Sequence, residues 1–559
     1  MECICPFCGK KSKSNELCFD LSEQFKDRKL LYFVESTEEE KERFFAAFDG
    51  LVNHWHNQGY GPTFLSEAEL LKCLRWRTQT KAQGVTAGTL EIQPSEWKNR
   101  LNEKRDEVPA EYHDLLDFML GNSFASKDML RMEVQYYKEG DGDVQITSIC
   151  DAKGNIIADQ RHCPHCGGTM SYWAGRYPEI VLTVLGGPRI SKSTALAACA
   201  NVFIYNRADY AISWESCGVR TVDGGEVRDK GDKSWNQFEA NCLQPYSENR
   251  KVEPTNISAE AIPRFSVRVR IGKKTNLILT VVDLPGEYSV DDKRMGISDD
   301  ILKKYGELYQ NVDCVWYCTD AVEMGQLSIS DEKELQKYGY DTGRKLTQTN
   351  DLTARLRQLA GLFRPDVPVV FLLGKSDTIE EQGRISNILY QDNYRPGAAS
   401  AWLEVEEKKR AILRSKEFCD RAQQLRTYLM GQNSRIIETF EEKFPVHTFL
   451  ATSNYGHGFR VEQQGDGQSG MKQVVAEGEL RPYQTEAPFL WMLAMLGYLP
   501  VLEGNTEYYT VDRNGRKDED RLTWENLGMY GRSTGGHRSH GGLLGGLLGG
   551  LLGGLFGRR

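Results

Sequence analysis

The sequence shows no visible secretory signal, no long apolar run and no excess of positive charge. Its first residues, MECICPFCGKKSKSNE, contain no apolar core of a signal peptide, and we therefore expect a cytoplasmic protein. No uninterrupted apolar stretch in the sequence reaches the length of a membrane span. Lys and Arg total 70 against 79 Asp and Glu, a net charge of −9, so we expect no broad nucleic-acid-binding surface.

Cysteine is abundant: there are 14. In a reducing compartment cysteines serve as metal ligands or buried thiols more often than as disulfides. The pentapeptide CPFCG at 5–9 has a twin, CPHCG, at 163–167. In each, a tight turn directs two thiolates at one ion and glycine lets the backbone fold beneath it, so the pair predicts a structural four-thiolate zinc site. The predicted ligands are Cys5, Cys8, Cys163 and Cys166.

Two other interpretations of these cysteines stay open at this point. The pentapeptides are unrelated reduced thiols, or Cys3 or Cys18 belongs to a separate N-terminal site. The long separation does not argue against one shared site, because loop-closure entropy grows only logarithmically and an inserted folded domain is tolerated.

The segment between the pentapeptides is predicted to be mostly helical over residues 20–125. Apolar residues from Phe44 to Val52 recur at helical spacing. A second helical run is predicted from Ser66 to Trp76, with Ser66 as N-cap and Glu69 three residues later. A β-hairpin then leads into the second pentapeptide. The sequence assigns this insert no function.

A phosphate-binding loop is indicated by EIVLTVLGGPRISKST at 179–194. A β-type run ends at Gly186 and Gly187, and an Ala-rich helix follows Lys192. In such a loop backbone N–H groups and the lysine hold phosphates, while a hydroxyl binds Mg²⁺. Ser191 stands where G-x-x-x-x-G-K-[ST] has its second glycine. The loop residues assigned to the nucleotide are Gly186, Gly187, Arg189, Ser191, Lys192, Ser193 and Thr194.

From Glu179 onward strand and helix patterns alternate, which predicts a mostly parallel sheet covered on both faces. The segment from Ala401 to Met430 is charged and amphipathic, and we predict an insertion helix or helix pair there that ends at Gly431. The predicted strands are Ile180–Leu185, Phe265–Ile271, Leu277–Asp283, Val312–Thr319, Pro368–Gly374 and Val446–Thr452.

Three of these strands end in motifs that complete a nucleotide site. Asp283 begins D-L-P-G at the end of a buried strand, a position that suits support of Mg²⁺, and Gly286 offers an N–H to the γ-phosphate. Gly374-Lys-Ser-Asp377 stands in place of the base-recognition motif N-K-x-D. There Asp377 would accept hydrogen bonds from guanine, and Lys375 would pack on the base. Thr452 and Ser453 end the last strand, where a backbone N–H meets the guanine oxygen.

With its four strand-end motifs in this order, the chain resembles the TRAFAC-class P-loop GTPases over Ile180 to Leu499. With the CPxCG pentapeptides in front, it is most similar to bacterial zinc-ribbon GTPase-like proteins, sometimes called double-GTPases, of conflict and defence gene clusters. The resemblance implies a Ras-like sheet, Mg²⁺-GTP binding and switch segments that respond to the γ-phosphate. It also implies a switch threonine that ligates Mg²⁺, for which Thr255 is the first candidate and Thr221 the second.

Three departures from the family pattern concern discrimination and turnover. Ser191 replaces a loop glycine, Gly374 replaces the asparagine of the base motif, and Glu287 stands where many GTPases have the glutamine that orients water. A carboxylate at 287 repels the γ-phosphate, so we expect slow or partner-stimulated hydrolysis. The residues expected to serve catalysis are Lys192, Gly286 and Glu287, and the expected Mg²⁺ residues are Ser193, Thr255 and Asp283.

The last residues are a repeat, GGLLGGLLGGLLGGLFGRR, with glycine at every fourth position from Gly541 to Gly557. As a helix it would present a glycine face for self-association or membrane contact. Glycine costs a helix about 1 kcal/mol per residue, however, so a flexible low-complexity tail is the equal alternative.

The sequence as a whole predicts a cytoplasmic, zinc-stabilised guanine-nucleotide switch that regulates a bacterial conflict or defence system through a protein partner or its own copies. The alternatives are a non-hydrolysing nucleotide-binding scaffold, an ATP-dependent P-loop enzyme, and nucleic-acid binding through the zinc ribbon, which the acidic balance disfavours.

The sequence also predicts six segments along the chain. They are a first zinc-ribbon half at 1–18, an α-rich insert ending in a β-hairpin at 19–150, the second half at 151–177, a Ras-like P-loop domain at 178–500, an extension at 501–532 and the Gly/Leu-rich tail at 533–559.

Overall fold

The structure of the protein is a computed structural model. It describes residues 2–22, 37–58, 64–82, 85–92, 99, 102–103, 105–114, 117, 133–139, 145–150, 155–171, 173–175, 177–187, 190, 192–205, 210–217, 219–223, 226–230, 233–252, 264–272, 275–283, 306–320, 324, 349–376, 403–406, 410–456, 459–464, 471–476, 478–503 and 506–508. The predicted tail at 533–559 lies outside these residues. Within them, no helix is both long enough and apolar enough to span a membrane.

The helices, in chain order, are α1 (Glu38–Gln58), α2 (Glu67–Cys73), α3 (Lys192–Tyr205), α4 (Lys233–Phe238), α5 (Gln244–Ser247), α6 (Thr349–Ala360), α7 (Ser415–Lys443) and α8 (Ala487–Met495), with a π-helical turn at Glu239–Leu243. The strands are β1 (Glu2–Ile4), β2 (Lys11–Lys13), β3 (Cys18–Asp20), β4 (Phe64–Ser66), β5 (Leu74–Ala82), β6 (Val85–Ile92), β7 (Glu133–Glu139), β8 (Gln145–Cys150), β9 (Ile156–Ala158), β10 (Arg161–His162), β11 (Glu179–Gly186), β12 (Ile212–Ser216), β13 (Val219–Asp223), β14 (Glu226–Lys230), β15 (Arg264–Ile271), β16 (Thr275–Asp283), β17 (Cys314–Asp320), β18 (Val369–Gly374), β19 (Leu403–Glu406), β20 (Arg410–Arg414), β21 (His447–Ala451), β22 (Phe459–Gln464), β23 (Met471–Ala476), β24 (Val501–Glu503) and β25 (Thr506–Tyr508).

The chain forms two compact units. Unit 1 comprises residues 1–179 together with 217–232, and unit 2 comprises 180–216 together with 233–559. A hairpin of β13 and β14 therefore belongs to unit 1, although the chain on both sides of it belongs to unit 2. The finer domain limits expected from the sequence remain predictions.

Unit 2 is built on a seven-stranded sheet in the order β12-β15-β16-β11-β17-β18-β21. Strands β11, β17, β18 and β21 pair in parallel, whereas β12, β15 and β16 pair antiparallel at one side. The parallel strands are buried along almost their whole length, as expected for a sheet covered on both faces. This confirms the mixed α/β class with a mostly parallel central sheet.

The order of the strands identifies a preferred ligand position. From β11 the chain passes through α3 to the β12-β15-β16 side, and later continues from β17 outward on the other side. The carboxyl end of β11 therefore lies where the strand order reverses, which is where open α/β sheets bind ligands. Both α3 and α8 are apolar around most of their surface and buried, so they belong to the core of the unit.

The predicted helix or helix pair over Ala401–Met430 is wrong in its first half. Strands β19 and β20 form an antiparallel hairpin, with Leu403 opposite Leu413, and α7 begins only at Ser415. In β19 the apolar residues Leu403 and Val405 alternate with glutamates, and period two is the pattern of a half-buried strand, whereas β20 has three consecutive buried apolar residues. The expected end at Gly431 is also wrong, because α7 passes it and bends at Asn433, where φ is −152° and ψ is 76°.

The insert of unit 1 contains the predicted helices but more strand than the sequence predicted. Helices α1 and α2 lie in the part predicted to be helical, but β5 and β6 lie there as well, and they join β7 to β9, in the part predicted to be β, in a five-stranded antiparallel sheet. The predicted helix Ser66–Trp76 ends at Cys73, and Trp76 lies in β5. Its start is confirmed: the Ser66 backbone N–H donates to Glu69, and the Glu69 N–H donates to the Ser66 hydroxyl, a capping box.

A buried charged side chain joins three segments of unit 1. The Arg161 guanidinium donates to the carbonyl oxygens of Ala174 (2.8 Å) and Ile146 (2.9 Å) and pairs with Glu67 at 3.2 Å. Both charged side chains are almost fully buried, at 2% and 4% exposure. The pair ties α2 and β8 to the chain around the second CPxCG pentapeptide.

We expect Arg161→Ala to destabilise unit 1 by about 3–5 kcal/mol, because it leaves the Glu67 carboxylate buried without its cation. The double variant Arg161→Met/Glu67→Leu removes both charges and should lose less stability. Urea unfolding followed by circular dichroism measures both. A single variant that unfolds within about 1 kcal/mol of the unmodified protein would contradict this role for the pair.

Candidate functional site

Strand β11 ends in a turn that requires glycine. Gly186 has φ 144°, in a region that side chains rarely adopt. It lies beside Cys318 of β17 in the parallel register. A Cβ on Gly186 would lie 2.4 Å from the Cys318 carbonyl oxygen and 2.3 Å from Cδ1 of Ile190. The loop can therefore lie this close to the end of β17 only because Gly186 has no side chain.

The amine of Lys192 lies inside this turn. Its Nζ donates to the carbonyl oxygens of Gly187 at 3.1 Å and Gly186 at 3.4 Å, and the side chain is buried. Helix α3 begins at the same residue, so a buried ammonium group and a helix N-terminus occupy one place. Both features favour an anion.

The next residue joins this loop to the neighbouring strand. The Ser193 hydroxyl donates to Oδ2 of Asp283 at 2.5 Å. Asp283 is the last residue of β16, and its side chain is buried. A hydroxyl and a carboxylate are oxygen ligands of the kind that Mg²⁺ takes. The structure thus brings together two residues that the sequence assigned to the same ion.

Asp283 also affects a thiol on the π-helical turn. Burial, followed by the negative charge of Asp283, raises the pKa of Cys242 to about 12. The turn also contacts α3. Cys242 therefore lies within range of the Asp283 charge, on a turn that packs against α3.

At the end of β18 the backbone is strained. Lys375 follows Gly374 with φ 54°, an unfavourable conformation that clusters at functional sites when a non-glycine residue adopts it. The next N–H, of Ser376, donates to the Thr452 carbonyl at 3.1 Å, and the Thr452 N–H donates to Leu373 at 2.8 Å. The two predicted base-binding loops are therefore held together by backbone hydrogen bonds.

The loop after β21 has most of its backbone groups paired. The Ser453 and Tyr483 main chains exchange two hydrogen bonds, of 3.1 and 2.7 Å. The Gly456 N–H donates to the Ser453 hydroxyl, and the Asn454 carbonyl accepts from the Tyr246 hydroxyl at 2.6 Å. Among the described residues, no acceptor is present for the Asn454 N–H. The N–H groups of Thr452 and Ser453, in contrast, already donate within the protein.

Three buried polar atoms at these two loops have no hydrogen-bond partner among the described residues. They are Oγ of Ser376, Oγ1 of Thr452 and Oδ1 of Asn454. Buried polar groups are nearly always paired in folded proteins, so unpaired atoms at a strand edge favour a binding site there.

The structure places several predicted residues together and leaves others undescribed. Gly186, Gly187, Lys192, Ser193 and Asp283 form one group at the end of β11. Thr194 continues α3, and Thr221, the second switch candidate, lies on β13 in unit 1. Outside the described residues lie Arg189, Ser191, Thr255, Gly286, Glu287 and Asp377.

Two residues of this edge were missed by the sequence reasoning. Asp320 is fully buried and ends β17 opposite Gly374. Extending the predicted strand by one residue would have found it. Tyr246 is 208 residues from Asn454 in the sequence, and no local pattern indicates that contact.

Unit 1 folds its two CPxCG pentapeptides into the same turn. The Gly9 N–H donates to the Cys5 carbonyl at 2.8 Å, and the Gly167 N–H donates to the Cys163 carbonyl at 2.9 Å. Gly9 has φ 75° and Gly167 has φ 66°, so both turns use the left-handed conformation that glycine permits. The predicted role of these glycines is confirmed.

The turns bring the four predicted thiols together, with all sulfur atoms within 4.8 Å of one another. The Cys5–Cys166 and Cys8–Cys163 sulfurs are 3.6 and 3.8 Å apart. A tetrahedron with metal–sulfur bonds of about 2.3 Å has edges of about 3.8 Å, so the cluster fits a tetrahedral ion. Hydrogen bonding within the cluster lowers the pKa of Cys8 and lowers that of Cys166 to about 7, and it raises the pKa of Cys5 and of Cys163, because neighbouring thiols share their protons.

The described residues do not support a separate N-terminal metal site. The Cys3 thiol donates to the Ser12 carbonyl, and the Cys18 thiol donates to the Glu16 carbonyl. In the described part of the chain, the four-cysteine set is the only group whose ligand atoms converge in this way.

Comparison with known proteins finds similar solved structures but no match to a protein family or to a curated protein. No protein-family model matches the chain, and no curated protein matches it. Among solved structures, the chain is similar to a septin GTPase domain from Chlamydomonas reinhardtii, with a TM-score of 0.22 and 12% identity over 58% of this chain and 93% of that one.

We expect the purified protein to contain one metal ion per chain, and Cys166→Ser to abolish its binding by removing one of four ligands. Cys419→Ser is the matched control, because this partly exposed thiol lies on α7 and outside the cluster. Elemental analysis by mass spectrometry gives the stoichiometry. Full metal content in Cys166→Ser would contradict the assignment.

Proposed function

We propose that unit 2 binds a guanine nucleoside triphosphate with Mg²⁺ and hydrolyses it slowly or with a partner's help, and that unit 1 holds a structural Zn²⁺. The observation that carries the nucleotide proposal is the Ser193–Asp283 hydrogen bond beside the Lys192 turn. It joins the ends of β11 and β16 at the switch point of the sheet, where the phosphate chemistry requires a metal ligand beside a cation.

At the phosphate side, the roles follow from the groups at the turn. Lys192 exchanges its loop carbonyls for the β- and γ-phosphates, and the N–H groups at the start of α3 bind the same oxygens. When Mg²⁺ is bound, the Ser193 hydroxyl and the Asp283 carboxylate would supply oxygen atoms to hold it. Thr255, Gly286 and Glu287 remain candidates for the metal, the γ-phosphate and the attacking water.

At the base side, the loops after β18 and β21 supply donors and acceptors. Asp377 reads the guanine N–H groups, and Lys375 covers the face of the base. Since Thr452 and Ser453 already donate their N–H groups within the protein, we assign the contact with the guanine oxygen to the N–H of Asn454. The contact is therefore assigned to Asn454 instead of Thr452 or Ser453, and it still comes from the loop that the sequence predicted.

In unit 1 the four thiolates leave no open position on the ion, so the zinc stabilises the fold and takes no part in a reaction. From the resemblance of the strand-end motifs and the CPxCG pentapeptides, we further propose that the chain acts as a TRAFAC-class switch with a protein partner in a bacterial conflict or defence system.

Binding is tested by titrating GTP, GDP and ATP with Mg²⁺ into the full chain by calorimetry, with phosphate release followed in parallel. We expect GTP to bind more tightly than ATP, and Lys192→Ala to weaken GTP binding at least about tenfold through loss of a phosphate contact. Lys443→Ala, which removes a lysine at the end of α7, is the charge-matched control.

The outcomes separate the candidate functions. Equal affinity for ATP and GTP would contradict the guanine assignment and favour an ATP-dependent enzyme. Tight GTP binding without phosphate release that depends on Lys192 would favour a non-hydrolysing scaffold.

Gly374→Asn should strengthen GTP binding about threefold to tenfold, since an amide there can satisfy buried groups of the two base loops. The space exists: a Cβ on Gly374 would lie 3.5 Å from the Thr319 carbonyl oxygen and 3.9 Å from that of Ile190. Gly374→Ala is the control, because it adds the Cβ without the amide. Equal affinities of the Asn and Ala variants for GTP would refute the expectation.

A further inference from the structure

The loop at 452–456 is oriented by a residue from a distant part of unit 2. Tyr246 is fully buried on α5, and its hydroxyl donates to the Asn454 carbonyl at 2.6 Å. Its ring packs against that of Tyr455, with centroids 5.2 Å apart. Helix α5 and the π-helical turn before it both contact α3, so the same segment borders the phosphate side of the site.

We propose that Tyr246 is a positioning residue for base recognition: its hydroxyl holds the loop in the conformation that presents the Asn454 N–H to the base. This inference rests on the proposed guanine site, and it adds a residue that sets the specificity of that site.

The argument follows from the planarity of the peptide bond. In a trans peptide the C=O and N–H groups point in opposite directions. The Ser453 carbonyl is fixed by the Tyr483 N–H, so the Asn454 N–H must point away from Tyr483. The Asn454 carbonyl is fixed by Tyr246, which holds the following peptide plane as well. Tyr483 thus sets the direction in which the Asn454 N–H points, and Tyr246 holds the peptide plane on the other side of Asn454, so that together they keep the residue in place and its N–H preorganised.

The position of Tyr246 relates the base side of the proposed site to its phosphate side. Tyr246 comes four residues after Cys242, whose pKa responds to the charge of Asp283. Short π-helical turns occur frequently at functional sites, and this one contacts α3. Tyr246 therefore places the base-reading N–H relative to α3 and the phosphate turn.

Tyr455 offers a matched contrast in the same loop. Its hydroxyl donates to the Arg250 carbonyl at 2.9 Å and accepts from the Val252 N–H at 3.2 Å. It therefore ties the loop to the segment after α5 and holds neither peptide plane beside Asn454. Loss of this hydroxyl should affect stability without changing the direction of the Asn454 N–H.

The test compares Tyr246→Phe and Tyr455→Phe with the unmodified full chain, by calorimetric titration of GTP, ITP and ATP with Mg²⁺. In Tyr246→Phe we expect the ratio of GTP to ATP affinity to fall about threefold to tenfold, the effect of one misdirected hydrogen bond. The ratio of GTP to ITP affinity should not change, because these bases share the oxygen and differ in the amino group that Asp377 reads. Tyr455→Phe should keep both ratios.

Thermal unfolding of both variants controls for folding, and the phenyl ring preserves the packing in each. An unchanged GTP-to-ATP ratio in Tyr246→Phe would overturn the inference, as would an equal fall in Tyr455→Phe. If the unmodified protein itself fails to prefer GTP, the proposed function is refuted along with this inference. The two failures are thus told apart by the unmodified protein.

Discussion

The parallel register of β11, β17, β18 and β21 is the constraint on which unit 2 depends. It aligns Gly186 with Cys318 and Asp320 with Gly374, so the carboxyl ends of these strands meet at one edge. The close approach of β11 to β17 there admits only glycine, and the turn it creates receives the Lys192 amine. Phosphate, metal and base chemistry can share one site because the sheet ends its strands together.

Unit 1 likewise depends on residues that the fold brings together from distant parts of the sequence. Two five-residue turns with the same hydrogen bonds place four sulfurs at the spacing of a tetrahedral ion, although 155 residues separate Cys8 from Cys163. Arg161, two residues before Cys163, connects this region to Glu67 of the insert. The four-cysteine cluster thus joins the chain before the insert to the chain after it, and the buried ion pair joins the chain after the insert to α2.

The sequence predicted the features that depend on neighbours in the chain. A strand followed by a polar motif can be identified from neighbouring residues, and so can a cysteine turn. The strands and turns predicted in this way correspond to β11, β16, β18, β21 and both CPxCG turns. The capping box at Ser66 marks where α2 begins but carries no information about its end, so the sequence predicts helix as far as Trp76, inside β5. The contact of Tyr246 with Asn454 arises only when α5 lies against the loop after β21, and only the fold shows it.

The most direct measurement of a nucleotide spanning this edge is hydrogen–deuterium exchange of the full chain with and without Mg²⁺-GTP. We expect slower exchange in peptides covering three separate regions, 186–194, 372–376 and 452–456, since phosphate and base would be held at once. Slower exchange confined to 186–194, or the same pattern with Mg²⁺-ATP, would contradict a guanine-nucleotide site at the ends of these strands.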